Sequence, residues 1–234
     1  MMRLAATLLL FLTATSAEAA AVRLGPGPRI ASGVAAAPRI LGGAPPAART
    51  RINTALARAD ARGRKAAAAC KADSGPRANW TRTVRTTFTG PAFLSVLIHD
   101  DYDCGGAHPD FGDTALVFGL ADGRLVDWAG LVPASLEAKG AIDTAPDGAR
   151  LGVLTSPGLK ALYGPLQGEC QDVGDLIAGF MIWPDREAGG LVMAPVGLPH
   201  AVAACGDATT LKPDRLTALG FAPSLVAALT APTP

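Results

Sequence analysis

The sequence predicts an α+β fold: a mostly antiparallel sheet with an N-terminal helix and short C-terminal helices. Three observations predict it. Between residues 50 and 71, apolar and small side chains recur every three or four positions. Residues 80–89 then alternate with period two, and further apolar runs follow between Gly- and Pro-containing turns. The last stretch holds two short apolar segments, each opened by a proline.

In the helical window, Ile52, Leu56, Ala59, Gly63, Ala66 or Ala67 and Cys70 fall on one face. Arg51, Arg58, Arg62 and Lys65 lie elsewhere on the cylinder. Alanine favours the helix, and Ser74-Gly75-Pro76 stops it. In residues 80–89, Trp80, Val84 and Phe88 face one way, while Thr81, Thr83, Arg85 and Thr87 face the other. Gly90-Pro91 turns the chain into a second strand over residues 93–99. A polar stretch, residues 100–113, reads as a loop before a strand at 114–120. Ala121-Asp122-Gly123-Arg124 is a hairpin turn into residues 125–128. Short helices are expected at 133–139 and 156–163, the second with Pro157 near its start. Residues 176–183 and 191–194 form a hairpin around a turn at 185–190, and 198–204 reads as one more strand. Residues 213–219 and 223–229 read as the closing helices.

The start of the chain points to export. Arg3 precedes the apolar run Leu4–Thr15, and the small-residue site Ala17-Glu18-Ala19 follows. That run falls short of the roughly 20 residues that span a bilayer as a helix. Residues 1–19 are therefore expected to be a cleaved signal peptide, leaving a free periplasmic or secreted protein. Residues 20–49, rich in Gly, Pro and Ala, read as a flexible leader or, as the alternative, an edge strand around residues 39–41. Residues 50–234 then form a single α+β domain. No later stretch is long and apolar enough to span a membrane.

With 21 basic and 20 acidic residues the net charge is +1, so the sequence lacks the dense basic patch that nucleic-acid binding needs. Four cysteines, Cys70, Cys104, Cys170 and Cys205, in an oxidising compartment argue for two disulfides. No C-x-x-C occurs, which speaks against zinc and against thioredoxin-type redox chemistry. Of three possible connectivities, Cys70–Cys104 with Cys170–Cys205 keeps each pair within one half of the chain. Asn79-Trp80-Thr81 matches the glycosylation sequon, but it opens a strand and the signal segment and composition look bacterial, so modification is not expected. Trp128 and Trp183 fall on strand patterns and are expected in the core.

The densest chemistry lies between His99 and Asp113, where five aspartates and two histidines stand close together. The spacing matches neither an EF-hand nor a zinc-protease motif, so no metal and no cofactor are expected. There is no G-x-S-x-G elbow for a serine nucleophile. Asp101, Asp103, Gly105, Gly106, His108 and His200 are the candidate binding residues. His108 sits in a turn shaped by Gly105, Gly106 and Pro109 and is expected to be structural. As a buried anchor its loss would cost about 1–3 kcal/mol.

Several of these pieces together resemble the ectodomain of the lysozyme-binding anti-sigma factor (RsiV type), a domain also found ahead of a polysaccharide deacetylase. The matching segments are Pro38-Arg39-Ile40-Leu41-Gly42, Ile52-Asn53, the paired strands of residues 80–99, Gly105-Gly106-Ala107-His108-Pro109, and Asp122-Gly123-Arg124-Leu125. Residues 191–200 look like the family's last strand pair. The resemblance spans roughly residues 38–205. It implies an α+β fold and extracytoplasmic binding, with a secreted protein or a cell-wall glycan as partner, rather than catalysis. This chain lacks the family's sigma-binding part, membrane helix and Asp-Asp deacetylase motif, so signalling and deacetylation are not carried over. The sequence therefore predicts a disulfide-bonded envelope binding protein; the alternative is an envelope hydrolase using the Asp/His cluster near His108.

Overall fold

The computed structural model describes residues 21–106, 108–164, 166 and 168–232. The expected signal peptide, residues 1–19, lies outside them. The fold is α+β, as the patterning predicts, and all of its named strand pairs are antiparallel.

The segment expected as a leader is folded. Strands β1 (Arg23–Gly25) and β2 (Arg39–Gly42) pair, and Ala37 and Ile40 are buried beneath the first helix. Asn53 fixes β2 by bonding both the amide and the carbonyl of Ile40. The edge-strand alternative is thus the one realised.

Helix α1 (Pro46–Ser74) begins on a proline, whose missing N–H costs nothing at a helix start. Its buried stripe is Ala48, Ile52, Leu56, Ala59, Asp60, Gly63 and Cys70, which keeps the predicted face except that Ala66 and Ala67 are only half-buried, and adds Ala48 and Asp60. This stripe lies on a three-stranded sheet of β3 (Asn79–Thr89), β4 (Phe93–Asp103) and β5 (Asp110–Gly119), in that order. Because side chains alternate across a strand, Leu94, Val96 and Ile98 of β4 face α1. Phe93 and Leu97 face the opposite way, with Ala115 and Val117 of β5.

That second face packs on a five-stranded sheet in the order β10, β9, β8, β7, β6. Its strands are β6 (Lys139–Thr144), β7 (Arg150–Thr155), β8 (Gly179–Asp185), β9 (Gly190–Val196) and β10 (Thr209–Leu211). The short helices α2 (Pro157–Tyr163), α3 (Pro213–Leu219) and α4 (Pro223–Thr230) complete this core through Leu159, Leu216 and Leu225, each fully buried. Ser156 caps α2 by accepting the Leu159 amide at 2.9 Å. Trp128 and Trp183 are in the core, as expected.

Four local expectations are corrected. Residues 125–128 return from the Gly123 turn, but pair only through one bridge, Phe118 with Leu125. The helix expected at 133–139 is a single 3₁₀ turn, Ala134–Leu136, after which the chain enters β6. Residues 198–204 are not a strand: Pro199 opens a 3₁₀ turn, His200–Cys205, tied by disulfide to Cys170. The polar stretch 100–113 is mostly strand: β4 runs to Asp103 and β5 starts at Asp110. Cross-strand partners explain the last point. His99 bonds Asp113 at 2.9 Å, Trp80 stacks on Tyr102 at 4.7 Å, and Asp100 is buried in an ion pair.

Both disulfides join the expected pairs, Cys70–Cys104 and Cys170–Cys205. The first ties the end of α1 to the β4–β5 turn. Among the described residues, no helix is long and apolar enough to cross a membrane.

A buried ionic knot links the layers. Arg82 on β3 is fully buried and makes two bonds to Asp100, at 2.7 and 2.6 Å, and one to Asp147 at 3.1 Å. Its third nitrogen donates to the Ala59 carbonyl of α1 at 3.1 Å. Burial alone would lower the Arg82 pKa, but the hydrogen bonds and charges of Asp100 and Asp147 raise it overall. The guanidinium occupies the space left by Gly63, where a Cβ would lie 2.9 Å from Arg82 Nε and closer still to Nη1 and Cζ.

Candidate functional site

At its outer end the β4–β5 hairpin projects past the core, and a cleft of about 530 Å³ opens along the free side of β5. Three segments bound it: residues 110–113 of β5, residues 143–146 at the β6–β7 turn, and residues 194–206 after β9. Leu151, Met181 and Val196 supply an apolar floor, while Tyr102, Asp110, Asp113, Asp143 and His200 supply polar groups. The β6–β7 turn can approach β5 closely because residue 112 is glycine: a Cβ there would lie 2.6 Å from Pro146 Cγ.

Asp110 is the hub of the polar side. One of its oxygens contacts His200 Nδ1 at 3.0 Å and the Phe111 amide at 2.9 Å; the other accepts from the Tyr102 hydroxyl at 3.4 Å. Burial pushes the Asp110 carboxyl up, but the bonds from His200 and Phe111, the His200 charge and the Tyr102 bond outweigh it. The net direction is below the ordinary carboxylate value. Tyr102 moves the other way, raised by burial first and then by the negative charge of Asp110. Since an ionised carboxylate only accepts, Nδ1 of His200 carries the proton. In the neutral ring Nε2 is then an acceptor. His108 stacks on His200 with ring centroids 3.6 Å apart and planes 11° off parallel. His99 and Asp113 form a second imidazole–carboxylate pair nearby.

Of the six residues expected to bind, the structure brings two together, His108 and His200. His108 is exposed, and its Nδ1 contacts only the Pro109 carbonyl, at 3.1 Å. The expectation of a buried histidine anchor is therefore corrected: the Cys70–Cys104 disulfide ties the turn to α1. Asp103 accepts the Gly105 amide at 3.1 Å, closing that turn. Gly105 has φ +78° and backs onto Ser74 at the end of α1, so it serves shape. Asp101 is exposed on β4, and Gly106 lies in the turn; neither lines the cleft. Ala107 lies outside the described residues. Sequence reasoning missed Tyr102, Asp110, Phe111 and Asp113 as site residues. Had residues 100–113 been read as strands, the period-two rule would have placed Asp113 beside His99.

Among the described residues, no three His, Cys, Asp or Glu side chains are grouped to hold a metal ion. Comparison with models of known protein families gives no match, and none of the curated proteins matches the chain.

Proposed function

We propose that this chain is a periplasmic or secreted, disulfide-bonded binding protein whose ligand enters the cleft beside β5. The observation that carries this is the cleft itself: an apolar floor, a polar rim of three carboxylates with the His200 imidazole and the Tyr102 hydroxyl, and walls fixed by a disulfide-tied turn and a glycine close contact. The cleft is open and more polar than a typical small-molecule pocket, which is lined mainly by apolar side chains, and so suits a ligand that brings polar groups of its own. Two disulfides and the signal-like N-terminus support an oxidising compartment. The resemblance to the lysozyme-binding ectodomain supports a partner in the cell envelope, either cell-wall material or an enzyme that degrades it.

One observation favours a hydrolase as the second reading. His200 and Asp110 line the cleft, with His108 stacked on His200 beside it, and Asp110 holds His200 as a carboxylate holds a general base. Yet the described lining offers no serine or cysteine as nucleophile, so water would have to be activated directly. Titration of the exported protein with soluble peptidoglycan fragments, by calorimetry and beside a hydrolysis screen, separates the two. Binding without turnover, weakened by Asp110→Ala, is the expected result; turnover lost in His200→Ala would replace binding by catalysis.

A further inference from the structure

One wall of the cleft is the edge of β5 that no named strand pairs with. In an antiparallel pair, opposite residues alternate between exchanging both hydrogen bonds and exchanging none. The Val117 carbonyl accepts the Val126 amide at 2.9 Å, the Gly119 amide donates to Arg124 at 2.9 Å, and the Ala115 amide meets Met181 Sδ at 3.1 Å. All three are odd positions of β5 with partners outside β4. The far side of the sheet gives the same parity. Arg82 spends its backbone amide and carbonyl on Gly33 and Ala35, it stands opposite Asp100, and Asp100 stands opposite Gly112. Gly112 therefore faces β4, while Phe111 and Asp113 face outward. The pairing of β4 with β5 carries no register shift that would reverse this. The Phe111 amide is taken by Asp110, but the Asp113 amide and carbonyl have no partner among the described residues.

An open edge of this kind is a template for another strand. Here it runs beside three carboxylates, Asp110, Asp113 and Asp143, and the described lining contains no lysine or arginine. Resting on the binding reading above, we propose that the ligand is an extended polypeptide segment carrying basic side chains, added to the free edge of β5. Residues 111–113 would pair with a segment of about three residues, roughly 10 Å long at about 3.4 Å per residue, because Met181 Sδ already takes the Ala115 amide. Alternate side chains of that segment would meet the floor around Met181 and Val196, and the others would reach the carboxylates.

The test is a titration of the full exported protein with an octapeptide of alternating Lys and Val. Its Glu-Val counterpart and a Lys-Val version N-methylated at every second amide serve as comparisons, with a soluble peptidoglycan glycan as a separate arm. The Lys-Val peptide should bind, with the Glu-Val and N-methylated forms at least tenfold weaker. Asp113→Pro removes an outward N–H without touching the ladder to β4 and should abolish binding; Asp113→Ala should only weaken it. Because the N-methylated peptide is read on the unaltered protein, a poorly folding variant does not blunt the test. Equal binding of the N-methylated peptide, or self-association through β5, would overturn strand addition. Glycan binding without peptide binding would overturn it while leaving the binding reading intact. Silence in every arm would remove both.

Discussion

Gly63→Ala is the sharpest test of how the layers are joined. On helix propensity alone the change should help, since alanine is favoured over glycine by about 1 kcal/mol in a helix interior. The structure predicts the opposite sign. The new methyl would occupy the space of the Arg82 guanidinium, which is fully buried and held by Asp100, Asp147 and the Ala59 carbonyl. A flexible arginine on a surface would swing aside, but this one cannot move without giving up two buried carboxylates, leaving Asp147 with Arg62 at 3.6 Å and Asp100 with the Trp80 indole at 2.9 Å. Breaking such a pair costs about 3–5 kcal/mol, so the net loss should be about 2–4 kcal/mol. For a protein of this size that lowers Tm by about 4–16 °C. Thermal melts of the variant measure it. In an Arg82→Ala background the same substitution should become neutral or stabilising, because the space is then free. A Gly63→Ala protein that melts at or above the parent would refute the role given to the knot.

Three other outcomes are expected. Replacing Cys170 and Cys205 together by alanine should cost about 2–5 kcal/mol and speed amide exchange in residues 200–205, measurable by denaturation and hydrogen exchange. Asp110 should titrate below an ordinary aspartate in carbon-detected NMR, and His200→Ala should move it upward. Because its folded pKa is depressed, its contribution to stability is present at neutral pH and is lost as pH falls through that folded value. His108→Ala should change stability by less than about 1 kcal/mol, as an exposed ring does, whereas a larger drop in Tm would restore the anchor role.

The sequence disclosed elements whose burial follows hydrophobic spacing. The stripe of α1, the β8–β9 hairpin and the proline-opened closing helices all follow from apolar residues at the right intervals. It concealed elements in which polar residues are buried. Arg82 stands at an inward position of β3, but a charge there breaks the alternation that marks a strand face. Asp100 hides in the same way among neighbours that read as a loop. The β6–β7 hairpin was invisible because Gly140 and Gly152 weaken the strand signal and Ile142 points to solvent. Its turn, Pro146-Asp147-Gly148, was the clue available. The cleft needed all of these at once, since β5, the β6–β7 turn and the His200 turn are far apart in sequence.

The most direct measurement is amide chemical-shift mapping of the protein during titration with soluble peptidoglycan fragments and with the Lys-Val octapeptide. Binding in the cleft predicts saturable shifts concentrated at residues 110–115, 143–146 and 194–206, and largely absent from α1. Shifts centred elsewhere, or none with either probe, would contradict it.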